Sequence, residues 1–176
     1  MGYEPTLGDV LRSQGVSRRA FLQFCSATAS LMALPAGTTS AMAEALAAAR
    51  RPSVIWLSFQ ECTGCTEALT RSHAPTIENL LFNFISLDYH HTLQAAAGDA
   101  AERALEEAQH ANKGKYLVLV DGSIPLLEYC STVAGHSNKE TLEHVCADAA
   151  AVINIGTCSA YGGIPMAKPN PTKAVA

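Results

Sequence analysis

Tyr116-Leu-Val-Leu-Val-Asp121 is a nearly unbroken apolar run, of the kind formed when both faces of a strand are covered. Such strands belong to parallel sheets, so the question is what flanks this one. Upstream, Thr92 to about Asn112 is rich in Ala, Glu and Leu and reads as the best helix of the chain by propensity, ended by Lys113-Gly114-Lys115. Before it, Phe84 to Tyr89 reads as a strand. Thr66 to about Phe84 carries Leu69, Ile77, Leu80, Leu81 and Phe84 at helical spacing, with Pro75 as a break. Ser53-Val-Ile-Trp-Leu-Ser-Phe59 is a first, short β-branched strand. Downstream, an irregular segment with Gly122, Pro125 and Gly135 leads to a helix over Lys139 to Ala149 and a fourth strand over Ala151 to Ile155. The β-α-β-α-β-α-β order predicts an α/β fold, a doubly wound parallel sheet with right-handed crossovers. Ligands of such sheets gather outside the carboxyl ends of the strands.

That rule brings distant cysteines together. Cys62 and Cys65 follow the first strand and Cys158 follows the fourth, so all three are expected at one edge. In Glu61-Cys62-Thr63-Gly64-Cys65-Thr66-Glu67 two thiols sit two residues apart on a tight loop, the spacing at which both reach one iron–sulfur cluster or one zinc. A redox dithiol shares this spacing, and unligated thiols are the bland reading. The third thiol shifts weight toward a cluster, since a dithiol needs only two. Cys146 lies in a predicted helix and reads as a buried structural thiol. Cys130, in the irregular segment, is a weaker ligand candidate, and a Cys130–Cys146 disulfide stays open. His90 and His91 read as solvated loop histidines, and Glu61 and Glu67 as surface carboxylates. A flavin-binding alternative lacks a Ser/Thr-rich phosphate loop after the first strand.

The N-terminus reads as an address. Ser17-Arg18-Arg19-Ala-Phe-Leu-Gln-Phe24 joins an arginine pair to a modest apolar stretch, followed by Pro35-Ala36-Gly37 and by Ala41-Met42-Ala43, small residues where a signal peptidase cuts. Residues 1–43 are therefore expected to be a twin-arginine export signal, with 44–52 a linker and 53–176 the folded domain. Such a route carries proteins already folded, often with a cofactor inserted. The chain has 12 basic and 16 acidic residues among 176, a net charge of −4, and no basic face, which argues against a nucleic-acid partner. With 48% hydrophobic and 16% charged residues it is neither disordered nor fibrous.

Several ordered blocks carry a resemblance: the segment from Glu61 to Glu67, Ile85-Ser-Leu-Asp-Tyr-His90, Ala95-Ala-Ala-Gly98, Val120-Asp-Gly-Ser-Ile-Pro-Leu126, and Ile155-Gly-Thr-Cys-Ser-Ala-Tyr-Gly-Gly163 through Lys168-Pro-Asn-Pro-Thr172. Together they resemble the small subunit of exported, membrane-associated nickel-iron uptake hydrogenases. The resemblance implies a flavodoxin-like domain and an electron relay, in which a large subunit splits H2 at a nickel-iron centre and the small subunit passes electrons through iron–sulfur clusters. It implies that Cys62, Cys65 and Cys158 hold a proximal [4Fe-4S] cluster. The family's fourth ligand, in a Gly-Cys-Pro segment, and the ligands of further [4Fe-4S] and [3Fe-4S] clusters lie beyond Ala176, so an N-terminal fragment is expected. Gly64 and Gly163 stand where oxygen-tolerant relatives carry extra cysteines, which implies an ordinary cluster and an oxygen-sensitive enzyme. Glu61 is implied to lie at the large-subunit interface or to handle protons. Asp99 stands where many relatives have His. A periplasmic location on the inner membrane and a membrane electron acceptor complete the expectation, against the alternative of an exported thiol-disulfide oxidoreductase using Cys62 and Cys65.

Overall fold

The computed structural model describes residues 5–35, 37–127 and 132–176, which form two compact units. The first comprises Met1–Arg51 with Phe82–Phe84. It holds α1 (Leu7–Ser13), α2 (Arg18–Leu31) and α3 (Thr38–Ala48). A capping box starts α1: the Thr6 hydroxyl accepts from the Asp9 N–H at 3.2 Å while the Asp9 carboxylate accepts from the Thr6 N–H at 3.0 Å. Gly8 lets α1 approach α3 closely, since a Cβ there would lie 2.7 Å from the Ala47 carbonyl oxygen. Arg18 and Arg19 are exposed on the first turn of α2, which Ser17 caps. The Ala41-Met42-Ala43 segment and residues 44–48 lie inside α3. No helix among the described residues is long and apolar enough to cross a membrane.

The second unit comprises Pro52–Leu81 and Ile85–Ala176. In chain order it runs β1 (Ser53–Ser58), α4 (Gly64–Thr70), α5 (Ile77–Asn79), β2 (Ser86–His90), α6 (Asp99–Ala111), β3 (Leu117–Asp121), β4 (Thr132–Val133), β5 (His136–Ser137), α7 (Asn138–Cys146), β6 (Ala151–Ile155), α8 (Gly156–Tyr161) and α9 (Gly163–Met166). A π-helical turn over Leu80–Phe84 precedes β2. The four long strands form one parallel sheet in the order β2-β1-β3-β6. Numbered among themselves they run 2-1-3-4, the flavodoxin-like arrangement expected.

Strand alternation divides the core. Ile55 and Leu57 of β1 and Val118 and Val120 of β3 point to one face, where they meet Ala101, Leu105 and Ala108 of α6 and Val145 of α7. Removal of each of these Val, Leu and Ile side chains from water contributes about 1.5–3 kcal/mol. Tyr116 is fully buried and its hydroxyl donates to the Val145 carbonyl at 2.6 Å, fixing α7 to the start of β3. On the other face Val54, Trp56, Leu117 and Leu119 line a cleft with Leu69 of α4 and with Leu80.

Three boundaries differ from the sequence reading. The helix expected from Thr92 begins at Asp99, because Gly98 takes a positive φ of 57° and Asp99 and Glu102 then complement the helix N-terminus. The helical stretch expected over Thr66–Phe84 is broken into α4, α5 and the π-helical turn. The irregular segment after β3 contains the small β4–β5 hairpin. Cys130 lies outside the described residues.

Candidate metal centre

Register aligns the strand ends. Ser58 of β1 pairs with Asp121 of β3, and Asp121 pairs with Ile155 of β6, so the chain leaves three adjacent strands in one row. Cys62 and Cys65 follow the first exit and Cys158 the last. The Cys65 thiol lies near enough to both Cys62 and Cys158 to feel them electrostatically. Cys62 is exposed and the other two are half-buried.

Each sulfur is paired with a glycine that has room for it. A Cβ on Gly64 would stand 3.1 Å from Cys62 Sγ, one on Gly163 would stand 2.7 Å from Cys158 Sγ, and one on Gly156 would overlap Cys65 Sγ. Gly156 and Gly163 also take positive φ values of 78° and 51°. The glycines therefore do two things: they permit the turns after β6, and they leave the sulfurs free of a side-chain wall. Among the described residues no three His, Cys, Asp or Glu side chains converge closely enough to hold a single metal ion.

Two residues of the Val120–Leu126 block, given no role by the sequence reading, organise the loops. Asp121 ends β3, is 1% exposed, and accepts a hydrogen bond from the Cys65 thiol. Ser123 is fully buried, and its hydroxyl is shared between the carbonyls of Cys158 at 2.9 Å and Gly162 at 2.6 Å. Its backbone exchanges two hydrogen bonds with Gln60, at 3.0 and 3.1 Å, just before Glu61. One residue thus fastens the Cys62 loop and the Cys158 helix to the same strand end. The signal in the sequence is the block itself, a polar residue closing an apolar run and then Gly-Ser, which names the residues but not their contacts.

The electrostatics oppose free thiolates. Burial first, then the hydrogen bond to and charge of Asp121, push the Cys65 thiol up to about 11. Burial raises the Asp121 carboxyl, and burial followed by Asp121 raises that of Glu61. Glu61 Oε2 and Asp121 Oδ2 are buried without a hydrogen-bond partner. Such a group favours a cationic guest, whose charge offsets deprotonation of its thiols. Glu67, by contrast, is an exposed partner of Arg71 at 2.6 Å. Burial also raises the Cys146 thiol, which packs against the core at the end of α7 as a structural thiol does.

The reading of His90 and His91 as solvated loop residues is overturned. His90 is the last residue of β2 and is 1% exposed, its ring 4.9 Å from that of Trp56. His91 is half-buried and its Nδ1 accepts from the Ser58 N–H at 3.0 Å. His90 ends and His91 follows a strand whose carboxyl end packs inward, a property that residue type does not reveal.

Residues 62–176 match the family described as NADH ubiquinone oxidoreductase, 20 Kd subunit. The chain is 49% identical to the periplasmic [NiFe] hydrogenase small subunit of Solidesulfovibrio fructosivorans over 93% of its own length and 52% of the relative's. It is 44% identical to the quinone-reactive Ni/Fe-hydrogenase small chain of Wolinella succinogenes, covering 94% of this chain and 48% of that one. Among solved structures, the [NiFeSe]-hydrogenase of Dm. baculatum superposes with a TM-score of 0.67 at 34% identity, over 73% of this chain and 50% of the other. The chain spans about half the length of the curated relatives it matches.

Proposed function

The chain belongs to the NADH ubiquinone oxidoreductase 20 Kd subunit family, and from that premise we propose that it serves as the electron-relay part of a nickel-iron hydrogenase small subunit. In this reading Cys62, Cys65 and Cys158 hold a proximal [4Fe-4S] cluster beside a large subunit that oxidises H2. When bound, such a cluster accepts and releases single electrons at a potential set by its charge, its hydrogen bonds and its exposure to solvent. The observation that carries the proposal is the set of three sulfurs from two strand exits, each against a glycine. A third thiol beside the Cys62–Cys65 pair is what a cluster needs and a redox dithiol does not.

The chain's own residues do the positioning. Gly64, Gly156 and Gly163 clear the space, Ser123 ties the two ligand-bearing loops, and Asp121 stands beside Cys65, whose thiol would be deprotonated when it holds the cluster. Tyr161, on the helix that carries Cys158, and Ile164, on the next, are 77% and 86% exposed and suit an apolar contact with the large subunit. Glu61 belongs to the same rim, as an interface or proton-handling residue. The absence of cysteine at 64 and 163 supports an ordinary, oxygen-sensitive cluster.

Arg18 and Arg19 serve as the twin-arginine recognition pair, and the protein acts in the periplasm, at the inner membrane, with a membrane electron acceptor. The names of the periplasmic and quinone-reactive relatives support this placement. The thiol-disulfide oxidoreductase alternative uses only Cys62 and Cys65 and leaves the third thiol, Cys158, without a role. The test is to co-produce the chain with its large subunit under anaerobic conditions and measure iron, acid-labile sulfide and H2-dependent dye reduction. Iron and sulfide in equal amounts, with activity lost on exposure to air, support the reading. A colourless protein that reduces disulfides overturns it.

A further inference from the structure

The first turn of α4 carries Cys65 but lacks the usual local lock. Its N-cap, Thr63, sits in the left-handed region at φ 64° and makes no side-chain hydrogen bond to the helix. The next residue after Cys65, Thr66, is only 3% exposed, and its hydroxyl lies 3.3 Å from Nε2 of His90. The other ring nitrogen of His90 is committed: Nδ1 accepts the N–H groups of Thr92 at 3.0 Å and Leu93 at 3.3 Å. A neutral imidazole carries one N–H, so with Nδ1 as acceptor that proton is on Nε2 and is donated to Thr66. Burial, with His91 adjacent, holds the ring neutral by lowering its pKa to about 4. Trp56, 3% exposed, packs against the ring with an interplanar angle of 35°.

We propose that His90 is a positioning residue for the metal centre: through its Nε2–H and the Thr66 hydroxyl it fixes the turn that aims Cys65, taking the place of the missing helix cap. The tether runs from the end of β2, across β1, to the start of α4. It deepens the cluster reading above and rests on it, since its consequence is the orientation and hydrogen bonding of a cluster ligand. Rigid support of a ligand by residues that do not touch the metal is a recurrent requirement of metal sites.

The cluster-loaded heterodimer provides the test. His90→Asn keeps an acceptor near Nδ1 and removes the Nε2 donor; Thr66→Val removes the hydroxyl at constant shape. Both are expected to move the reduction potential of the cluster held by Cys65 in the same direction, and to speed amide exchange over residues 62–70 by about tenfold. The double variant should change no more than either single one, because both cut one link. Thr66→Ser and His90→Gln, which keep a hydroxyl or a donor, should return toward wild type. Wild-type potential and exchange in Thr66→Val, or effects of the two substitutions that add, would overturn the tether. A wild-type protein without iron would instead overturn the relay reading, and the exchange comparison would still decide the tether.

Discussion

The glycines around the sulfurs differ in what they tolerate. Gly64 takes no positive φ and a Cβ there would sit 3.1 Å from Cys62 Sγ, whereas Gly156 has φ +78° and its Cβ would overlap Cys65 Sγ. Gly156→Ala therefore combines backbone strain with a clash and is expected to cost roughly 1–3 kcal/mol, with iron content falling accordingly; Gly64→Ala should retain most of its iron. Iron analysis of the two purified variants checks the order, and equal loss in both would contradict it. His90 gives a pH dependence. Its folded-state pKa of about 4 lies below the ordinary 6.5, so the unfolded chain takes up the proton first. Stability is unaffected above pH 6.5 and falls as pH drops toward 4, by up to about 3 kcal/mol. Urea midpoints at pH 7.5 and 4.5 should drop more in wild type than in His90→Gln. At this scale spacing and strand order single out Cys62, Cys65 and Cys158 as candidates, but the contacts of Asp121 and Ser123 and the burial of His90 are not legible. Those depend on which strand end lies beside which, information no local pattern carries.

Among elements, α7 shows local sequence acting alone. Ser137 and Glu140 form a capping box: the Ser137 hydroxyl accepts from the Glu140 N–H at 3.3 Å and the Glu140 carboxylate accepts from the Ser137 N–H at 2.8 Å. That hydrogen bond holds the Glu140 carboxyl below its usual range, so the cap acts fully at neutral pH and weakens as acid protonates it. Ser137→Ala is expected to destabilise by about 1 kcal/mol, read as a lower urea midpoint at pH 7 and a smaller difference at pH 3. All four strands were legible from apolar, β-branched runs within a residue or two, because each strand of a parallel sheet is long enough to leave that signature. The β4–β5 hairpin was not, since two-residue strands leave no period. Nor was the exposure of β6, where Val152 and Ile153 remain 47% and 45% exposed despite their composition. Hydrophobicity shows what a strand prefers to contact rather than what covers it.

For the whole molecule, the sheet and the site follow from one topological fact. The order β2-β1-β3-β6 makes the chain turn to opposite sides of β1 after its first and second crossovers, and the switch opens a crevice between the carboxyl ends of β1 and β3. Asp121 ends β3 at that edge, beside the Cys65 thiol. The measurement that bears most directly on the central claim is electron paramagnetic resonance of the anaerobic heterodimer, wild type and Cys158→Ala, before and after H2. In the wild type H2 should produce the signal of a reduced [4Fe-4S] cluster, and Cys158→Ala should lose it together with about four irons per chain. A wild type without an H2-dependent iron–sulfur signal, or a Cys158→Ala variant that keeps the signal and its iron unchanged, would contradict the account.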